Sequence, residues 1–447
     1  MDEHGKCRPL PLLTKATTDD HQFITGYPAH EHQHRASMLK ALGQEKYDFF
    51  FEKFLEYFFT EKDAAFFAST GLNCLRLPFN YHHFEDDMNP RVLKPVGFKH
   101  LDRVIDLCAK YKIYTILDLH ALPGGQNPDW HSDNRSNYAA FWDHKDFQDR
   151  VIWLWREIAS RYKDNAWVAG YNLINEPCDP LHYRLPQFYD RIEKEVRAVD
   201  PDHILWLDGN TFSMEFREFT HVLPNTVYGL HDYAVSTHPS PFTLSFPHIL
   251  TFGPSQTMGF PTGPRYTGTP SQNQQLESQF LRKASFMLSH KTPIWNGEFG
   301  PVYANPSTSS PSTLSQESEI NASRLALLTA QLEIYSAHNI HWTIWLYKDI
   351  GLQGLLSPSQ TSPWLSRISK FLEKKRHLQL DAWGREPSED VAKVIEPLVK
   401  FIDQNIPQSN EQYPTPWKTE RQIIRMVNQM YMAGCLSDEF AELFRYA

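Results

Sequence analysis

Two glutamates stand where buried strands should end: Glu176 in YNLINEP (171–177) and Glu298 in IWNGEFG (294–300). Each follows a short apolar run of strand character. Two carboxylates carried to one place from distant strand ends can work on an acetal carbon. One gives a proton to the leaving oxygen, and the other attacks as nucleophile or activates water as base, which is the chemistry of glycosidic-bond cleavage. Strand ends are the natural position, because a parallel barrel builds its site on the loops that follow its strands. Asn175 precedes Glu176, and Asn-Glu-Pro after a β-branched run is much rarer by chance than a lone Glu. The bland alternative is two glutamates that merely cap the helices following those strands.

The elements that must position the pair alternate along the chain. Apolar strand-like runs fall at 73–79, 114–120, 168–174, 204–209, 227–233, 292–298 and 341–347. Between them lie helical patterns such as GFKHLDRVIDLCAKY, with Leu101, Val104, Ile105, Leu107 and Cys108 near helical spacing. Strand–helix alternation implies a parallel sheet, and eight units would close a (β/α)8 barrel. Only seven strands are visible, so the expectation is a TIM barrel whose regular first strand is missing or replaced. Residues 1–21 carry Pro9, Pro11 and a TTDD run without apolar alternation, and they read as an irregular N-terminal segment. The barrel spans 22–363. Within it HQFITGYPAHEHQHR reads as loop, and the Phe-rich stretch ending near residue 70 reads as an amphipathic helix pair on the barrel wall. Residues 364–447 read as a charged helical C-terminal extension. Two long loops stand out. Residues 234–274 are expected to wall the cleft and 301–319 to be partly disordered, since ordinary connections are far shorter.

Composition bounds the partners. The 447 residues are 41% hydrophobic and 14% aromatic, enough for a large core. A net charge of −9 argues against nucleic acid or an anionic membrane as the main partner. No run reaches membrane-helix length, and the N-terminus lacks the apolar region of a secretory signal, so a cytoplasmic location is expected. The five Cys are scattered with no CxxC pair, so no disulfide framework or cysteine zinc site is indicated, and no cofactor is expected. Most of the twelve Trp and twenty Tyr belong to core packing, and the rest can stack on sugar faces.

Taken together, Arg76 in LRLPFN, His120 in DLHALPGGQN, Asn175–Glu176 in NEP, His231 and Tyr233 in LHDY, Glu298 in NGEFG and Trp345 in the last strand carry a resemblance. Over about residues 23–347 the chain resembles glycoside hydrolase family 5, within it a fungal β-glucosidase and exo-glucanase-like group. The resemblance implies a (β/α)8 barrel, retention of anomeric configuration, Glu176 as acid/base and Glu298 as nucleophile. It places Arg76, His120, Asn175, His231, Tyr233 and Trp345 around the sugar. The family's Gly-rich, Trp-containing first strand is the one part without a match. A carbohydrate substrate, β-glucoside or β-glucan, is the expected partner, and the long loops point to exo action.

Several further residues have two readings. GGQNPDWHSDN (124–134) follows His120, and Trp130, His131 and Asp133 are taken as substrate contacts; the alternative is a solvated turn. Asp118 and His100 read as ordinary core or surface residues. Burial and an ionised partner are expected to keep Glu176 protonated, while Arg76 and the Tyr233 hydroxyl keep Glu298 charged. HEHQH (30–34) fits the H-E-x-x-H pattern, in which His30 and His34 would bind zinc and Glu31 would be the base of a metallopeptidase. The incomplete first strand also admits a barrel that binds glycan without turning it over.

Overall fold

The computed structural model describes residues 30–234, 258–259, 265–304, 311–350, 352–359, 361–378, 380, 389–406, 422–423 and 425–445. Seven parallel strands pair in chain order: β1 (Cys74–Asn80), β2 (Tyr114–Ala121), β3 (Val168–Asn172), β4 (Ile204–Asp208), β5 (Thr226–His231), β6 (Ile294–Glu298) and β7 (His341–Trp342). The sheet curls as the wall of a TIM-type (β/α) barrel. Every strand lies where the apolar pattern places it. The last is shorter than the run 341–347, because its pairing turns irregular. Thr343 and Trp345 still donate backbone bonds to Asn296 and Phe299. Among the described residues, β1 and β7 each have one strand neighbour. Residues 1–21, expected to be irregular, lie outside the described residues.

Helices cover the outer face. α1 (Glu31–Leu42), α2 (Gln44–Phe58) and α3 (Glu61–Ser69) precede β1. α3 starts with a capping box in which Thr60 and Asp63 satisfy each other's backbone N–H. α4 (Phe98–Lys110) buries Leu101, Val104, Ile105 and Cys108, the face its spacing predicts. α5 (Lys145–Tyr162) and α6 (Arg184–Arg197) follow β2 and β3. α7 (Pro270–Lys283) and α8 (Pro311–Ala337) flank β6. Most of the loop 234–274 lies outside the described residues. α8 already covers 311–319 of the second long segment, whose residues 305–310 lie outside the described residues.

The chain beyond the barrel is helical, with α9 (Pro363–His377), α10 (Glu389–Asn405), a π-helical stretch Arg425–Met432 and α11 (Ala433–Glu442). It shares an apolar cluster with the first two helices: Met38 and Phe51 meet Ile368, Phe371, Leu436, Phe440 and Phe444. That packing explains why residues 31–35, expected to be loop, are helical. The His34 ring lies 5.4 Å from Phe440, a partner that no local periodicity announces.

Because a strand's side chains alternate between faces, β1 splits in two. Leu75, Leu77 and Phe79 join the core shared with the helices. Cys74 points the other way and meets Ile116, Trp206 and Trp295 in an interior apolar layer. This layer is the floor beneath the site.

Candidate functional site

The same alternation raises polar residues above the floor. Arg76 follows Cys74 by two positions, Asp118 and His120 follow Ile116, and Asp208 follows Trp206. The Arg76 guanidinium sits 5.5 Å over the Trp295 ring and is 1% exposed. It donates to Glu298 Oε1 at 2.6 Å, Asn175 Oδ1 at 2.6 Å and Asn172 Oδ1 at 2.8 Å, and lies 3.1 Å from Asp118. Burial works against this cation, but Asp118, Glu298 and Asp208 more than offset it, and its pKa rises. The other oxygen of Glu298 accepts from the Tyr233 hydroxyl at 3.0 Å. Both Glu298 oxygens therefore face permanent donors, the surroundings of an ionised carboxylate.

Glu176 is held differently. His231 Nδ1 lies 2.7 Å from one oxygen and His131 Nε2 3.0 Å from the other. Its backbone is left-handed, with φ 47°, a strained setting for a non-glycine residue. The Asp208 carboxylate accepts its N–H at 3.0 Å, and Asn127 donates to its carbonyl at 2.9 Å, which fixes that conformation. Burial alone would raise the Glu176 carboxyl, but the two imidazoles outweigh it and hold it below the ordinary carboxylate range. Burial lowers His231, yet Glu298, Asp208 and Glu176 together raise it. The sequence reading expects Glu176 to hold its proton; in the folded chain the flanking imidazoles favour its charged form. Burial also pushes Asp208, beneath His231, up to about 6. Gly297 leaves room for this packing, since a Cβ there would meet His231 Nε2 at 2.8 Å.

The nearest Glu176, His231 and Glu298 donor atoms all fall within 4.8 Å of one another. That closeness is on the side of the carboxyl spacing of retaining enzymes, about 5–5.5 Å, rather than the about 6.5–9.5 Å of inverting ones. The trio could in principle ligate a cation. However, Glu298 already has both oxygens engaged, one by a guanidinium whose charge opposes a metal. His120 completes the floor of the site: Nδ1 lies 2.9 Å from Asp118 and Nε2 3.2 Å from Asn175 Nδ2. An Asp118 carboxylate at Nδ1 places the proton there and leaves Nε2 to accept. Trp345 stacks on His120 at 5.5 Å and 17°.

The sequence candidates thus separate. Arg76, His120, Asn175, Glu176, His231, Tyr233, Glu298, Trp345 and His131 converge. Asp133 does not join them: it takes His32 at 2.6 Å and Asn80 at 3.0 Å, tying α1 to the end of β1. Trp130 is buried against Leu352 and meets His131 edge-on, so its ring packs beneath the loop. Sequence reasoning passed over Asp118, Asn172 and Asp208. The available signal was a polar residue toward the buried end of a strand, two positions from a buried neighbour. His100 pairs with Glu52 on the outer helices, as an ordinary surface residue does.

The HEHQH segment gathers no ligand set. His34 packs against Phe51 and Phe440, and Glu31 binds Arg35 at 2.6 Å and Asn80 at 2.9 Å. Among the described residues, the one converging group of three His, Cys, Asp or Glu side chains is Glu176, His231 and Glu298.

Known proteins similar to this chain are glycoside-cleaving enzymes by name. The family model for cellulase (glycosyl hydrolase family 5) matches residues 44–351. A β-xylosidase of Phanerodontia chrysosporium is 49% identical over 429 residues, covering 95% of this chain and 84% of that protein. Endoglucanase C of Acetivibrio thermocellus is 26% identical over 276 residues, covering 58% and 78%. A glucan 1,3-β-glucosidase of Candida oleophila is 33% identical over 148 residues, covering 32% and 34%. Among solved structures, a hyperthermophilic endo-β-1,4-glucanase in complex with substrate aligns with a TM-score of 0.49 at 17% identity, covering 69% of this chain and 88% of that one.

Proposed function

Because the chain belongs to glycosyl hydrolase family 5, whose members hydrolyse β-glycosidic bonds with retention, we propose that Glu298 is its nucleophile and Glu176 its acid/base. The observation that carries the assignment is the contrast between the two carboxylates. Arg76 and Tyr233 hold Glu298 as an anion aimed at the anomeric carbon. Glu176 lies between two imidazoles, and His231 Nδ1, 2.7 Å from its carboxylate, can pass it a proton. In the first step Glu298 attacks, the anomeric C–O bond breaks, and the leaving oxygen takes the proton held by the Glu176–His231 pair. In the second step Glu176 removes a proton from water, and the glycosyl–Glu298 ester is cleaved with net retention. Asn175 has its oxygen fixed by Arg76, which turns its amide N–H toward the sugar 2-hydroxyl, a contact that strengthens in the transition state. His120 and Trp345 form the side of the sugar site.

For the sugar, we take a β-xyloside as the first substrate to test, on the strength of the relative that is 49% identical across nearly the whole chain. A β-glucoside or β-glucan is the second reading, favoured by the endoglucanase and glucan 1,3-β-glucosidase relatives. Aryl β-xylosides and β-glucosides on the purified protein decide between them by kcat/KM. A 2-deoxy-2-fluoro glycoside with an activated leaving group should label the peptide containing Glu298. Label on any other residue would displace the nucleophile assignment.

A further inference from the structure

The family match ends at residue 351, yet a residue far beyond it is built into the support of Glu176. Arg425, at the start of the π-helical stretch, is fully buried at 0% exposed. It grips Asp129 with a fork: Nε donates to Oδ1 at 2.8 Å and Nη2 to Oδ2 at 3.0 Å. Its carbonyl also accepts from Asn137 Nδ2 at 3.4 Å.

Asp129 sits inside the turn that carries His131. Its N–H donates to Asn127 Oδ1 at 3.0 Å, and its carbonyl accepts from the Ser132 hydroxyl at 2.8 Å. From the same turn, Asn127 Nδ2 reaches the Glu176 carbonyl at 2.9 Å and lies 3.0 Å from His131 Nε2. His131 Nε2 in turn lies 3.0 Å from Glu176 Oε2. The π-helical stretch is anchored in its own right, because Gln33 donates to the Met430 carbonyl at 2.8 Å. A buried ion pair adds little net stability over an apolar pair of the same shape. What a bidentate guanidinium–carboxylate pair adds is direction, and here the direction it fixes is that of the turn beside Glu176.

We propose that Arg425, from the C-terminal helical region, is a positioning residue for the proton-transfer step, acting through Asp129 to hold His131 and Asn127 against Glu176. The proposal rests on Glu176 being the acid/base. Arg425 touches neither substrate nor the reacting atoms, so its loss should misplace the proton donor and leave nucleophilic attack by Glu298 in working order.

The test is a leaving-group series on the full chain, using aryl β-xylosides, or aryl β-glucosides if those are the better substrates. The aglycones run from dinitrophenol, which departs without a proton, to unsubstituted phenol and alkyl groups, which need one. Arg425→Met should lose at least about tenfold more kcat/KM on the poorest leaving group than on the dinitrophenyl glycoside. Arg425→Lys should fall between it and the parent. Equal loss along the series, or no loss, would overturn the proposal, because a merely structural role lowers all substrates together. If neither 425 variant folds, Asp129→Asn is read by the same criterion; it keeps the shape and removes the charge. Glu176→Gln is the control. A flat series there would remove the acid/base reading itself. A steep series there with uniform losses at 425 and 129 would remove only the role of Arg425.

Discussion

The two carboxylates of the site lie within one hydrogen-bonded cluster but keep opposite company. Hydrogen-bonded to Glu298 stand a guanidinium and a phenol, with the His231 imidazole farther off at 3.8 Å. Around Glu176 stand the imidazoles of His131 and His231. The first half of the site fixes a charge and the second holds a movable proton. A double displacement needs that division, because one carboxylate must stay an anion through the cycle while the other gives up and regains a proton. The difference comes from the neighbours, since the two side chains are chemically identical.

Removing either glutamate is the largest test of the contrast. Glu298→Ala should abolish turnover of every glycoside, with a loss of about 10⁴-fold or more. Glu176→Ala should lose about 10²–10⁴-fold on substrates that need protonation and much less on activated ones. Azide should restore Glu176→Ala with a product of retained configuration, and should give Glu298→Ala the inverted glycosyl azide. Reversed stereochemistry by NMR would exchange the two roles.

Arg76→Met comes next. It strands Asp118 and Glu298 as buried charges without their cation, and should destabilise the fold by about 3–5 kcal/mol, read by urea unfolding. A near-neutral result would mean that Arg76 does not define the anionic half. Tyr233→Phe removes one hydrogen bond to the Glu298 carboxylate, of the kind that contributes about 1.5–3 kcal/mol. It should slow turnover by about 10- to 100-fold with little effect on KM, and unchanged kcat would show that Arg76 suffices.

His231→Gln should give the most specific change, read in the pH profile. The Glu176 carboxyl lies below its ordinary 4.5 and His231 above its ordinary 6.5. The ionised Glu176 contributes stability that is present above 4.5 and fades as pH falls through its folded value. The protonated His231 contributes stability that is present below 6.5 and fades as pH rises through its folded value. The pair therefore stabilises the fold most between those limits, and its last proton leaves above 6.5. With glutamine at 231 that proton belongs to the carboxyl alone, so the basic limb of kcat/KM should move to lower pH. An unmoved limb would assign the titrating group elsewhere.

Much of this was legible in the chain because strands and their ends are local features. Seven apolar runs mark seven strands. NEP and NGEFG mark two strand ends by short patterns that need no partner to be seen. Glu298, Arg76 and Tyr233 could be grouped because the family resemblance carried by LRLPFN, LHDY and NGEFG implied it. Asp118 and Asp208 escaped, because their importance lies in facing the interior layer above Trp206 and Trp295, and facing is a property of the curled sheet. Asp133 looked like a site residue by proximity in sequence, and the packing of α1 took it away.

By itself the sequence determined the parallel alternation of strand and helix, the two glutamates and the residues in line with them, since hydrophobic period and strand-end position are set by near neighbours along the chain. Only the tertiary structure decided which imidazoles flank Glu176, and that an arginine from the last helical region braces the turn beside it. Those outcomes depend on distances between groups far apart in sequence, and on burial that exists only once the barrel wall and the C-terminal helices have packed together.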